Sequence, residues 1–136
     1  MAVKIDIIYQ NGLRCEAVHT PSGQALFTDA PVDNHGKGES FSPTDLVATA
    51  LGACLATVMG IVAEREAIDL SGTRIEVVKE MIADPKRRIG KLAVKIQLPS
   101  QLTSGMKAKL ESAARNCPVK ESLRPDIDIP MEFIYR

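Results

Sequence analysis

Residues 46–63 read LVATALGACLATVMGIVA, eighteen consecutive positions without a charge. A membrane span has to be weighed at that length. The stretch is built of Ala, Gly and Thr as much as of Leu and Val, and its flanks, Asp45 and Glu64-Arg65-Glu66, carry no positive bias. A span is therefore rejected in favour of a helix that is apolar all round and buried all round. At about 1.5 Å per residue such a helix is roughly 30 Å long, more than a single chain of 136 residues readily surrounds. A second copy would cover it. Ala48, Gly52, Ala56 and Gly60, spaced by four, form a small-residue stripe that admits a close neighbour. That neighbour is either another part of the same chain or the matching helix of a homodimer, and the dimer is favoured.

The segments on either side read as an α+β chain. Upstream, Ser42 is an N-cap candidate, Pro43 takes the first helical position and Asp45 the third, which approximates a capping box. Residues 29–42, with Pro31, Asn34, Gly36 and Gly38, form a loop. Before it, Val3, Ile5, Ile7 and Tyr9 alternate with polar residues as a half-buried strand. Asn11-Gly12 turns into a second strand over 13–19, and Pro21-Ser22-Gly23 into a third over 24–28.

Downstream, strands are expected over 73–82 and 89–98, joined by a turn at Asp84-Pro85 with the solvated tip Lys86-Arg87-Arg88. A helix over 103–116 carries Met106, Leu110, Ala113, Ala114 and Cys117 on one face. Pro118 interrupts it and starts a short helix through Leu123. A last strand covers 127–135. The whole reads as one domain, 1–136.

Composition excludes several functions. Lys and Arg total 17 and so do Asp and Glu, which leaves no basic excess for phosphate backbones. Five aromatic residues are too few for base-stacking platforms. The opening residues, Met1 to Asp6, have no apolar region of signal-peptide type, which points to the cytoplasm. There, three cysteines are core residues, metal ligands or working thiols rather than a disulfide scaffold. Two histidines and no CxxC pair argue against a zinc site. Phosphate loops and a GxSxG serine elbow are missing, and no cofactor is expected.

The cysteines carry the remaining chemistry. Cys54 shares a helix face with Val47, Ala50, Val58 and Ile61, where a small core hydrophobe is the ordinary reading. Burial there raises a thiol pKa unless a cation or donor is supplied. Cys117, just before Pro118, is either a core residue or an N-cap whose thiolate the helix start would favour; the residues leave both readings open. Cys15 reads as a spectator in a strand. His19 and His35 have no ligand at metal spacing.

Together the cysteine segments resemble the OsmC/Ohr family. FSPTDLVATALGAC, Phe41 to Cys54, is similar to that family's helix, in which Ser/Asn-Pro and an acidic-Leu pair precede an Ala-rich run ending in the first cysteine. ARNCPV, Ala114 to Val119, is similar to its second motif, Cys-Pro-Val, and the separation of 63 positions fits. The resemblance covers essentially the whole chain. It implies antiparallel sheets wrapped around long central helices in an intertwined homodimer, with active sites at the subunit interface.

The resemblance further implies that Cys54 attacks a small-molecule organic hydroperoxide as a thiolate and becomes a sulfenic acid. Cys117 then closes a disulfide with it, and an external dithiol resets the pair. Hydroperoxidases of the family hold the thiolate with an arginine from the early strands, for which Arg14 is the candidate, and a glutamate just after the proline. That position is Thr44 here. The acid falls one later, at Asp45, nine residues before Cys54 and thus about 180° around the helix. Arg14 and Asp45 therefore join Cys54 and Cys117 as candidate catalytic residues. The competing function is a non-enzymatic dimer that binds an apolar small molecule or senses oxidants. A metal protein ranks last.

Overall fold

A computed structural model describes all of residues 1–136. The chain divides into two compact units, Met1–Val47 and Ala48–Arg136.

The first unit is an antiparallel meander of β1 (Ile5–Tyr9), β2 (Arg14–His19) and β3 (Ala25–Asp29). Ile7 pairs with Ala17, and Ala17 with Leu26. The expected Asn11-Gly12 turn is present, but Leu13 joins it: φ is +65°, +64° and +62° at the three positions. Asn and Gly tolerate that left-handed backbone readily, and the Leu13 carbonyl is tied down by the Ala30 amide at 3.1 Å. The turn thus takes one residue from the expected second strand. A half-buried β1 is not what forms. Ile5, Ile7, Ile8 and Tyr9 are all exposed, Ile7 to 66%. Alternation placed apolar residues on one face, but that face stays exposed.

The loop after β3 holds a single 3₁₀ turn, Val32–Asn34, and leads into α1 (Pro43–Glu66). The capping box forms in full. The Asp45 amide donates to Ser42 Oγ at 3.0 Å, and the Ser42 amide donates to Asp45 Oδ2 at 2.9 Å. Two orphan donors at the helix start are satisfied reciprocally.

In the second unit α1 continues to Glu66, followed by β4 (Arg74–Ile82), β5 (Arg88–Leu98), α2 (Ser104–Arg115), α3 (Pro118–Ser122) and β6 (Met131–Tyr135). β4 and β5 pair antiparallel, whereas β6 runs parallel to β5, with Val94 beside Met131 and Ile96 beside Phe133. The sheets are therefore not antiparallel throughout. A parallel neighbour needs a crossover connection, and α2 with α3 supplies it. The last strand is shorter than the alternation suggested because Pro130 has no N–H for the ladder; only a bridge from Lys91 to Asp128 precedes it.

Leu51, Leu55 and Met59 of α1, Leu92, Ile96 and Leu98 of β5, and Leu110 of α2 are fully or almost fully buried. By length and composition alone α1 could cross a membrane. Its Leu51–Leu55–Met59 stripe instead makes it the core helix of this unit. It is not buried all round, however: Ala53, Ala56, Thr57 and Ile61 remain exposed, Ile61 to 47%.

The small-residue stripe divides. At Gly52 a Cβ would lie 3.1 Å from Val77 Cγ2 and 3.5 Å from Ile75 Cγ2, so α1 sits directly on β4. At Gly60 a Cβ would meet nothing within 4 Å. The neighbour at Gly52 is the chain's own sheet rather than a second helix. Gly52→Ala gains about 1 kcal/mol of helix propensity against a tight contact, so its net effect is small. Gly52→Leu cannot fit without displacing β4 and is expected to cost about 1–3 kcal/mol, seen as a lower midpoint in urea unfolding.

Candidate active site

Cys117 is placed by the residue after it. Pro118 cannot continue α2, and its ring pushes the preceding residue out of the helical region. Cys117 accordingly has φ −74° and ψ 145°, the extended geometry of an N-cap, and its sulfur accepts from the Lys120 amide at 3.3 Å. The Val119 amide also hydrogen-bonds the sulfur. α2 arrives from a similar start, with the Met106 amide donating to Thr103 Oγ1 at 3.2 Å. Its buried positions Leu110 and Ala114 continue into Cys117, which has no accessible surface (0%). Both readings of Cys117 are therefore correct at once: it is a core residue and an N-cap.

Cys54 lies on α1 between the buried Leu51 and Leu55 and is half-buried. The fold brings it to Cys117, and the two thiols hydrogen-bond each other. Burial pushes the Cys117 thiol up from its ordinary value of 9.0, and the bond to Cys54 and its charge push the same way. The Lys120 and Val119 amides only partly offset this. The helix start is thus outweighed by desolvation. Burial therefore favours the thiol form of Cys117.

Arg14 and Asp45 lie in the first unit, apart in sequence and in role. Arg14 is clamped. Its Nε donates to Asp29 Oδ1 at 2.8 Å, and its Nη2 to Asp29 Oδ2 at 2.9 Å and to Glu39 Oε2 at 3.2 Å. Asp29 is 2% exposed and also accepts the Glu39 amide at 3.1 Å. The hydrogen-bonded guanidinium holds the Asp29 carboxyl below the usual carboxylate range. Neither Asp29 nor Glu39 is distinguished in the sequence, because both fall at the edges of a loop and only tertiary pairing selects them. Asp45 has a carboxylate oxygen committed to the Ser42 amide. Cys15 sits in β2 between Tyr9 and Thr28. His19 Nδ1 is 2.6 Å from Ser22 Oγ, and His35 takes a left-handed turn position. No group of three or more His, Cys, Asp or Glu residues is arranged to hold a metal.

A three-stranded meander, a long core helix on a mixed sheet, and a half-buried thiol paired with a buried one define an α+β protein built around two cysteines. The OsmC-like protein family matches residues 36–132, and the chain belongs to that family. A crystal structure from Psychrobacter arcticus, provisionally described as an osmotic stress induced and detoxification response protein, is 41% identical. The match covers 100% of this chain and 97% of that one, with a TM-score of 0.89. An organic hydroperoxide resistance protein OsmC from Legionella pneumophila shares the fold at 17% identity, over 98% and 97% of the chains, with a TM-score of 0.79. An organic hydroperoxide resistance protein of Bacillus subtilis does so at 18% identity, over 98% of each chain, with a TM-score of 0.71. No protein with a curated description matches the chain.

The raised Cys117 thiol has a pH signature. A group whose folded pKa lies above its unfolded value adds stability below the unfolded value, and that stability is lost as pH rises through the folded one. Tyr135, pushed up by burial and by its bond to Glu111, acts in the same direction. Unfolding midpoints in urea are expected to fall from about pH 9 upward, and less steeply in Cys117→Ala. Iodoacetamide at pH 8 should label Cys54 well before Cys117, as read by peptide mass mapping.

Proposed function

We propose that this protein reduces organic hydroperoxides through a two-thiol cycle that serves defence against oxidative stress. The observation that carries the reading is that the fold brings half-buried Cys54 into contact with fully buried Cys117. The Cys54 thiolate attacks the terminal peroxide oxygen, the O–O bond breaks, and the alkoxide leaves to take up a proton as the alcohol. Cys54 is then a sulfenic acid. Cys117 attacks that sulfur, hydroxide leaves with the Cys117 proton as water, and a Cys54–Cys117 disulfide remains. An external dithiol of the reducing cytoplasm restores the pair. The fold shared with two organic hydroperoxide resistance proteins supports the reading.

Arg14, paired with Asp29 and Glu39, keeps in this reading the role that the family resemblance implies, a cation that favours the Cys54 thiolate. Asp45 enters through the capping box and hence through the start of α1. The alternative, a non-enzymatic binder or oxidant sensor, differs in stoichiometry and rate. One equivalent of cumene hydroperoxide should remove two thiols per chain here, faster than it consumes a free thiol.

Cys54→Ser is expected to abolish the first peroxide turnover. Cys117→Ser should keep one turnover and leave a sulfenic acid on Cys54 that dimedone traps, and Arg14→Gln should slow the first step near pH 7. A Cys54→Ser protein that still reduces one equivalent at the wild-type rate would overturn the assignment.

The apolar residues left uncovered on α1, Ile61 among them, together with Ile7 and Ile8 of β1, belong in this reading to a homodimer interface. Light scattering at micromolar concentration should give about twice 14.7 kDa. A folded monomer would remove the interface from the proposal.

A further inference from the structure

The two sulfurs differ in access and in surroundings. Cys117 has no accessible surface within a single chain, and assembly can only reduce exposure further. Its Sγ is enclosed by the α2–α3 junction and accepts from the Lys120 amide at 3.3 Å and from the Val119 amide. Cys54 retains accessible surface. Thiol–disulfide exchange requires the attacking thiolate to approach one sulfur in line while the other leaves as a thiolate. The leaving sulfur is the one that needs donors, and the attacked sulfur is the one that needs access.

From this we infer that the reductant opens the Cys54–Cys117 disulfide only at Cys54, with Cys117 as the obligatory leaving group. The inference rests on the two-thiol cycle proposed above. A thiolate of the external dithiol attacks Cys54 Sγ and forms a mixed disulfide there. The Cys54–Cys117 bond breaks, and its electron pair goes to Cys117 Sγ, which develops charge against the Val119 and Lys120 amides and then takes up a proton. The second thiol of the reductant, deprotonated, attacks the reductant's own sulfur in the mixed disulfide and releases the Cys54 thiolate. The dithiol leaves as a disulfide, having supplied two electrons and two protons. The amides that fail to ionise resting Cys117 therefore act in the reductive half of the cycle. The charge they receive there is created already in place, next to both donors.

The test has two arms. In the first, wild-type protein is oxidised with cumene hydroperoxide, and peptide mapping checks for the Cys54–Cys117 disulfide. Its absence would refute the two-thiol cycle itself and, with it, this inference. Protein carrying that disulfide is mixed with excess glutathione, quenched in acid at early times, and alkylated with N-ethylmaleimide. Glutathione on Cys54 with N-ethylmaleimide on Cys117 is expected; glutathione first appearing on Cys117 would overturn the inference while leaving the peroxide cycle intact. In the second arm, Cys117→Ser and Cys54→Ser react with the aromatic disulfide 5,5′-dithiobis(2-nitrobenzoate), and dithiothreitol then clears the adduct. Both steps should be at least tenfold faster at Cys54 than at Cys117, and equal rates would overturn the inference. Should Cys54→Ser fail to fold, the wild-type trapping decides alone.

Discussion

The second unit depends on the close seating of α1 on β4 at Gly52. There α1 rests on β4 closely enough that even a Cβ would crowd Val77. That approach sets the height of the helix above the sheet and lets Leu51, Leu55 and Met59 reach full burial together with Leu92, Ile96 and Leu98. Cys54, two residues on, inherits its position from the same contact. A helix seated this way holds its thiol on a rigid element, and a rigid element is what a bond-length chemistry needs.

Cys117 is held by a different device with the same effect. Pro118 ends one helix and begins another, so the cysteine between them cannot be helical. The break directs two backbone amides at its sulfur, while Leu110 and Ala114 keep it in the core. Those influences oppose each other. The amides favour a thiolate and burial favours a thiol, and burial wins. Burial thus favours the thiol form of the enclosed sulfur, which suits a resolving thiol better than an attacking one. A more exposed N-cap cysteine of the same sequence would have the opposite preference.

The first unit has a separate internal logic. Asp29 is almost wholly buried and would be costly without partners. Arg14 meets it with two parallel hydrogen bonds, and the Glu39 amide adds a third. This clamp ties β2, the end of β3 and the long loop together. The meander otherwise keeps much of its apolar surface, including Ile7, Ile8 and Phe27, in contact with solvent. An assembly that covers this surface would draw on the same hydrophobic effect that the isolated sheet leaves unused.

Local chemistry made much of this legible in the residues alone. Ser42-Pro43-Thr44-Asp45 reads as a helix start because its hydrogen bonds close within three residues. Asn11-Gly12 reads as a turn because only a few residue types tolerate its dihedrals, and Cys117-Pro118 reads as a helix break for a similar reason. Each signal acts over one turn of chain, so propensity suffices. The OsmC-like motifs, by resemblance, also pointed to Cys54 and Cys117 together. What the residues could not decide were outcomes of long-range packing. These include the neighbour of Gly52, the parallel direction of β6, the exposure of β1, and the choice of Asp29 and Glu39 as partners for Arg14. The burial that raises the Cys117 thiol belongs with them. A helix start is written in sequence, but the desolvation that overrules it is set only when the chain packs around Cys117.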